Sequence, residues 1–231
     1  MASIAKAEVH DENRLQVMFD LINEGKELDC QELAGKYDLW TNYEKELGNQ
    51  KYKGPLYVST ILAEVIKSKD ISVLDCASGT GLVAEALIAK GFTNITGLDI
   101  SEEFIKVAEK KGIYKKIVRA FIGTDRMPFD DNEFDAIVCC SGILPTHISP
   151  DAFREWVRIL KPGGFFSFSI RRCYLEVMQG EEVFYSKPFA DKIDEVLQDL
   201  EQNNKVEILP RRECPEYIEN SPAYFYVIKV L

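Results

Sequence analysis

"ISVLDCASGTGLVAEALIAKG", residues 71–91, decides how the chain is read. Its apolar start, rich in β-branched residues, predicts a buried strand. Gly79 and Gly81 then demand a tight backbone turn or the close approach of another group. "LVAEALIAKG" (82–91) follows as a helix that stops at a glycine. The unit is strand, glycine loop, helix.

The same alternation continues outward. "ITGLDI" (95–100), "KIVRAFIG" (116–123), "DAIVCCSG" (135–142) and "GFFSFSI" (164–170) read as further strands. "SEEFIKVAEKKG" (101–112) opens with a serine cap and an acidic first turn, and "SPDAFREWVRIL" (149–160) opens with Ser-Pro. Apolar runs alternating with helices predict an α/β fold with a parallel sheet, doubly wound. The end of the chain departs from this rhythm. After the helical stretch 186–204 come "KVEILPRREC" (205–214) and "AYFYVIKVL" (223–231) with no helix between, which predicts an antiparallel hairpin. The expected architecture is a Rossmann-like seven-stranded sheet, mostly parallel, with an antiparallel C-terminal hairpin and added N-terminal helices. Residues 1–53 are read as a helical lid segment and 54–231 as a single globular domain.

A chain of 231 residues with 46% hydrophobic residues can bury one sizeable core. Its 28 basic and 38 acidic side chains leave a net charge of −10. That balance opposes nucleic-acid phosphates and anionic membranes, so neither is an expected partner. The first residues hold no apolar signal core, and no run is long enough to span a bilayer. Six cysteines without a CxxC pair, beside two histidines, offer neither a metal site nor a disulfide framework. Reduced, buried thiols in a cytoplasmic protein are the expectation.

Two cofactors compete for the glycine loop. "GTGLVA" (79–84) has the G-x-G-x-x-A form of a dinucleotide fingerprint, and Asp99 follows Gly79 by 20 positions, where an acid would hold a ribose. A nicotinamide-dependent oxidoreductase is therefore one reading. Four features oppose it. Asp75 stands immediately ahead of the loop, where a carboxylate repels a pyrophosphate and suits an ammonium group. An acidic turn, "MPFDDNEFDAIV" (127–138), precedes the fourth strand. "LKPGGFF" (160–166) turns a helix into the fifth strand, and the chain closes on the antiparallel hairpin.

In order and spacing, "VLDCASGTGLVAEAL" (73–87), "GLDIS" (97–101), "MPFDDNEFDAIV" and "LKPGGFF" resemble class I S-adenosylmethionine-dependent methyltransferases. "KYDLWTNYEKELGNQKYKGP" (36–55) is similar to the methyltransferase-like group that includes the protein of the Williams–Beuren syndrome chromosomal region. Ala77 replaces the first glycine of the usual D-x-G-x-G-x-G pattern.

The resemblance implies in-line methyl transfer from S-adenosylmethionine, with no metal. It places Ala77, Ser78, Gly79 and Gly81 under the methionine and ribose. Asp75 would serve the ammonium, Asp99 the ribose hydroxyls and Ile100 an adenine face. Gly123, Thr124 and Asp125 would meet the adenine edge, although an ordinary polar loop explains them equally well. Cys140, ending the fourth strand, falls near the reactive methyl; its neighbours give no means of activating a thiol, so packing is the expected role. Tyr37, Trp40 and Tyr52 would form a lid, though each alone is also explained by a helix packing on the sheet. His147 is the candidate base or acceptor contact, although a lone loop histidine is more often a bystander and an essential role is not expected. Arg171 could hold an anionic acceptor or lie solvated. The expected acceptor is a small molecule and the expected state a monomer. A domain that binds cofactor or partner without catalysis is the reading outside enzymology.

Overall fold

The computed structural model describes residues 18, 29–123, 125–177, 186–219 and 221–231. From residue 29 onward three helices come first: α1 (Cys30–Asp38), α2 (Tyr43–Asn49) and α3 (Gly54–Val65). Asp29 starts α1 through a capping box. Its carboxylate accepts from the backbone N–H groups of Gln31 and Glu32, and Glu32 reaches back to the Asp29 N–H. Then follow β1 (Val73–Cys76), α4 (Leu82–Ala89), β2 (Ile95–Asp99), α5 (Glu102–Lys111), β3 (Lys116–Arg119) and β4 (Phe134–Cys139). The last part comprises α6 (Ala152–Ile159), β5 (Leu160–Arg171), α7 (Lys187–Gln202), β6 (Val206–Ile208), β7 (Arg212–Ile218) and β8 (Ser221–Val230). No helix among the described residues is long and apolar enough to cross a membrane.

The strands form one sheet in the order β3-β2-β1-β4-β5-β8-β6. β1 pairs in parallel with both β2 and β4, so the chain reverses its direction of winding at β1/β4. Residues along each strand alternate between two cores, as the pleat requires. Leu74, Cys76, Ile137 and Cys139 face the side covered by α6 and α7, with Phe153, Trp156, Ile193 and Val196. Val73, Ala136 and Val138 face the other side, with Val58, Leu87, Trp40 and Leu47 from the earlier helices. Both faces are buried, which is why the central strands read as unbroken apolar runs.

The antiparallel end is present, with its outer arm divided. β8 pairs with β5 along one edge; on its other edge β6 takes residues 228–230 and β7 takes residues 221–225. Leu209, Pro210 and Arg211 separate the two pieces, and proline has no N–H to donate to a ladder. The seventh position of the expected sheet is thus filled by two short strands, making eight. The turn before β5 also has a local cause. Gly163 lies at φ +82°, and a Cβ on Gly164 would stand 2.8 Å from the Asp135 carbonyl oxygen.

Candidate functional site

The carboxyl ends of β1, β2, β4 and β5 converge where the winding reverses, the position at which open α/β sheets bind ligands. From β1 the backbone enters a left-handed loop, with Ala77 at φ +58°, Gly79 at +55° and Gly81 at +94°. Alanine pays about 1 kcal/mol for that conformation, which glycine adopts freely. Ser78 N–H donates to the Leu98 carbonyl at 3.0 Å, tying the loop to β2.

Asp99, at the end of β2, holds this loop. Its Oδ2 accepts from Gly79 N–H at 2.7 Å and its Oδ1 from Ser101 N–H at 2.9 Å. Burial pushes its carboxyl above the usual range, opposed by those backbone donors. Ser101 caps α5 by accepting from Phe104 N–H and donates its own hydroxyl to Asp38 at 2.7 Å. The end of α1 is thereby fastened beside the loop.

Two adjoining cavities open above these strand ends. One, of about 620 Å³, is lined by Ala77, Gly79, Asp99, Ile100, Phe104, residues 120–122, residues 140–142 and His147. The other, of about 690 Å³, is lined by Trp40, Tyr52, Ser169, Arg171, Tyr174 and Tyr217 among others. Tyr37, Tyr43, Ser141 and His147 line both. Tyr37 and His147 meet between them: the hydroxyl lies 2.7 Å from Nε2, and Nδ1 lies 2.9 Å from the Thr146 hydroxyl. Burial lowers the His147 pKa to about 4, so the imidazole is neutral near pH 7.

Beneath the second cavity lies a cluster of hydroxyls. Tyr217 from β7 is 2.5 Å from the Ser141 hydroxyl and 2.7 Å from that of Ser169, while Tyr52 is 3.0 Å from Ser141 and 3.1 Å from the Cys140 sulfur. Burial raises the pKa of both phenols, so they stay protonated. It also pushes the Cys140 thiol up to about 11, which leaves a protonated packing group and no activated nucleophile.

With this geometry in view, residues 74–168 match the profile of the family described as a methyltransferase domain. Over those residues the chain is similar to a methyltransferase domain. It is 28% identical over 138 residues to human methyltransferase-like protein 27, covering 58% of this chain and 56% of that protein. It is 29% identical over 133 residues to demethylmenaquinone methyltransferase of Chlorobaculum tepidum, covering 58% and 54%. The chain thus spans about half the length of these curated relatives. Among solved structures, a SAM-dependent methyltransferase from Aquifex aeolicus shares the fold with a TM-score of 0.54 at 16% identity, over 78% of this chain and 93% of that one. The (4+2)-cyclase SpnF does so with a TM-score of 0.66 at 16% identity, over 88% and 97%.

The two cavities divide the sequence-derived residues unevenly. Tyr37, Ala77, Gly79, Asp99, Ile100, Cys140 and His147 line the first cavity; Trp40, Tyr52 and Arg171 line the second. Asp75, Ser78 and Gly81 line neither. Gly81 is required by its φ and by Ile113, whose Cδ1 would stand 2.8 Å from a Cβ there. Gly123 and Asp125 also lie off the cavity; Ala120, Phe121 and Ile122 line it instead, and Thr124 lies outside the described residues. Tyr43 is missing from the expected site although it stands three positions after Trp40, the same helical spacing that links Tyr37 to Trp40. Tyr217 has no comparable local signal.

Asp75 is the clearest displacement from expectation. It is fully buried and accepts from the Tyr114 hydroxyl at 2.7 Å, with the Ala84 backbone N–H also turned toward it. Burial lifts its pKa to about 7, against the opposing hydrogen bond from Tyr114. A carboxyl whose pKa is higher folded than unfolded binds more protons in the native state, so its contribution to stability falls as pH rises from about 4 to 7. Asp75→Asn is expected to melt higher than the parent at pH 8 and to keep only a minor part of that advantage at pH 5. Thermal unfolding at the two pH values checks this; an equal offset at both would refute it.

Proposed function

We propose that this chain transfers the methyl group of S-adenosylmethionine to a small molecule bound in the Arg171–Tyr217 cavity. One observation carries the cofactor assignment. Among the described residues lining the glycine-loop cavity, Asp99 is the sole charged group, and no lysine or arginine is present. A diphosphate would find no cationic side chain there, whereas a cationic sulfonium needs none. Bound there, S-adenosylmethionine supplies an electrophilic methyl group on sulfur.

The chain's own contributions follow from the geometry. Each Asp99 oxygen accepts one backbone N–H and keeps acceptor capacity for a ribose hydroxyl. Ile100, Ala120 and Phe121 provide an apolar seat for the base. α1 and α2, with Tyr37, Trp40 and Tyr43, act as a lid that keeps water from the reacting centre, and residues 1–53 and 54–231 are proposed as lid segment and catalytic domain. His147, with its lowered basicity, acts as a hydrogen-bond partner. The N-terminal segment supports kinship with the Williams–Beuren methyltransferase-like group. A relative named for demethylmenaquinone supports a small-molecule acceptor, and the six free thiols fit a cytoplasmic setting.

The fold of the (4+2)-cyclase SpnF is shared as well, so architecture does not by itself select methyl transfer. Calorimetry with S-adenosylhomocysteine and with NADH tests the cofactor. Saturable heat is expected with the first and none with the second; the reverse pattern, or silence with both, overturns the proposal.

A further inference from the structure

We infer that the second cavity selects an uncharged aromatic compound bearing a hydroxyl, with that hydroxyl taken by Ser141 at the boundary of the donor cavity. This rests on the preceding reading, in which the glycine-loop cavity takes the methyl donor.

The walls set the shape. Tyr37, Trp40, Tyr43, Tyr52, Tyr174 and Tyr217 all line the cavity. Tyr52 and Tyr217 stand edge to face at 5.3 Å, and Trp40 and Tyr43 do so at 4.9 Å. Such an enclosure favours a planar partner that can stack or meet ring edges. At about 690 Å³ it has room for one or two fused rings.

The ionisable groups on that wall are turned to the protein. Arg171 is the sole charged group among the described lining residues. Its Nε and Nη2 donate to the Ser221 hydroxyl at 3.1 and 3.0 Å, and its Nη1 is shut off from solvent. The guanidinium lies 5.6 Å from the Tyr174 ring centre, so the aromatic wall already holds a cation of the protein's own. His147 is neutral, and its two ring nitrogens meet the hydroxyls of Tyr37 and Thr146. An incoming carboxylate would give up its water without gaining an open guanidinium fork or a lysine. An incoming ammonium would find no carboxylate and would face the like charge of Arg171. An uncharged ligand loses least on entry.

The polar end of the cavity is a hydroxyl with one place left. Ser141 follows the end of β4 and lines both cavities. A serine hydroxyl gives one hydrogen bond and accepts two. Two of these three places go to Tyr217 at 2.5 Å and Tyr52 at 3.0 Å, both kept protonated by burial. The third serves a ligand at the boundary, as donor or as acceptor according to how the hydrogens run through the cluster. A ligand hydroxyl matches either arrangement, whereas a carbonyl or an ether can only accept. The backbone points the same way. Ser141 lies at φ +61°, a conformation that glycine holds without strain, so the hydroxyl is what serine adds there.

The test uses the full chain saturated with S-adenosylhomocysteine, the saturating titration being read first. 2-Naphthol is then titrated beside 2-naphthoate, 2-naphthylmethylammonium and 2-methylnaphthalene, which put an anion, a cation and a methyl group in place of its hydroxyl. At neutral pH 2-naphthol should bind tenfold or more tightly than the acid and the amine. Its affinity relative to 2-methylnaphthalene should fall fivefold or more in Ser141→Gly, a change that suits the left-handed backbone. The acid or the amine binding as well as 2-naphthol, a smaller fall in Ser141→Gly, or no probe binding to the loaded protein overturns the inference. Where Ser141→Gly no longer takes up S-adenosylhomocysteine, Tyr217→Phe replaces it under the same criterion, because it removes one of the two phenols that hold the Ser141 hydroxyl in place. Failure of the parent to bind S-adenosylhomocysteine sinks the methyl-donor reading, and this inference with it; uptake of S-adenosylhomocysteine with the wrong ranking of probes sinks this inference alone.

Discussion

Asp99→Ala is expected to weaken S-adenosylhomocysteine binding by a hundredfold or more. The carboxylate does two jobs at once: it faces the cavity and it accepts the backbone N–H groups of Gly79 and Ser101. Removing it leaves two donors without an acceptor, each costing about 1–3 kcal/mol. Part of that cost falls on the free protein, but the loop that shapes the cavity loses its anchor and the ribose loses its acceptor. A loss of about 2.7 kcal/mol in binding already corresponds to a hundredfold. Asp99→Asn keeps one oxygen acceptor and turns an amide N–H₂ toward the other donor, so about a tenfold loss is expected. Calorimetry on both variants, with circular dichroism to verify folding, provides the check. Affinity within threefold of the parent for Asp99→Ala would show that Asp99 merely braces the loop.

The second large effect concerns stability. Trp156, on the face of α6 turned toward the sheet, is completely buried, with ring centres of Phe153, Phe166 and Phe168 at 5.3, 5.6 and 6.3 Å. Trp156→Ala should cost about 3–5 kcal/mol, because neighbours on a rigid sheet cannot collapse into the space. That is a large share of the roughly 5–15 kcal/mol by which domains are stable. Trp156→Phe should cost much less, about 1–1.5 kcal/mol. The reason is specific: the indole Nε1 is buried with no acceptor, so replacing the ring removes an unsatisfied donor together with some packing. Urea midpoints for the two variants separate these contributions. Equal losses would mean that the N–H is satisfied by a buried water.

Several elements were legible because their causes are local. β1, β2 and β4 are short apolar runs buried on both faces, so their composition announces them wherever they pack. The serine at 101 caps α5 because its hydroxyl reaches the Phe104 N–H within one turn, and Gly112 ends that helix at φ +64°. Gly79 and Gly81 make the tight turn that was one of the two readings of their sequence, at φ +55° and +94°. Asp99 reaches the glycine loop because neighbouring parallel strands end at the same level.

The placement of side chains across the sheet was legible only in part. Asp75 precedes the loop by a few residues, and proximity in sequence made it look like a ligand group. The alternation of the pleat sends it instead under α4 and against Tyr114, with no access to either cavity. Residues 205–214 read as one arm of the hairpin, and the structure divides it at Pro210 because β8 is long enough to pair with both pieces.

From the sequence alone came the alternation of central strands and helices and the glycine turn, since each depends on neighbours within a turn or a single crossover; that Asp99 holds the turn came from the structure. Tertiary structure alone brought Tyr52 against Tyr217 across 165 positions and Tyr37 against His147 across 110, and set Arg171 beside the hydroxyls of the second cavity. Those pairings depend on which strands become neighbours and in what register. Periodicity along a chain records which face a residue occupies, but not what another segment, packed in from far away, will place opposite it.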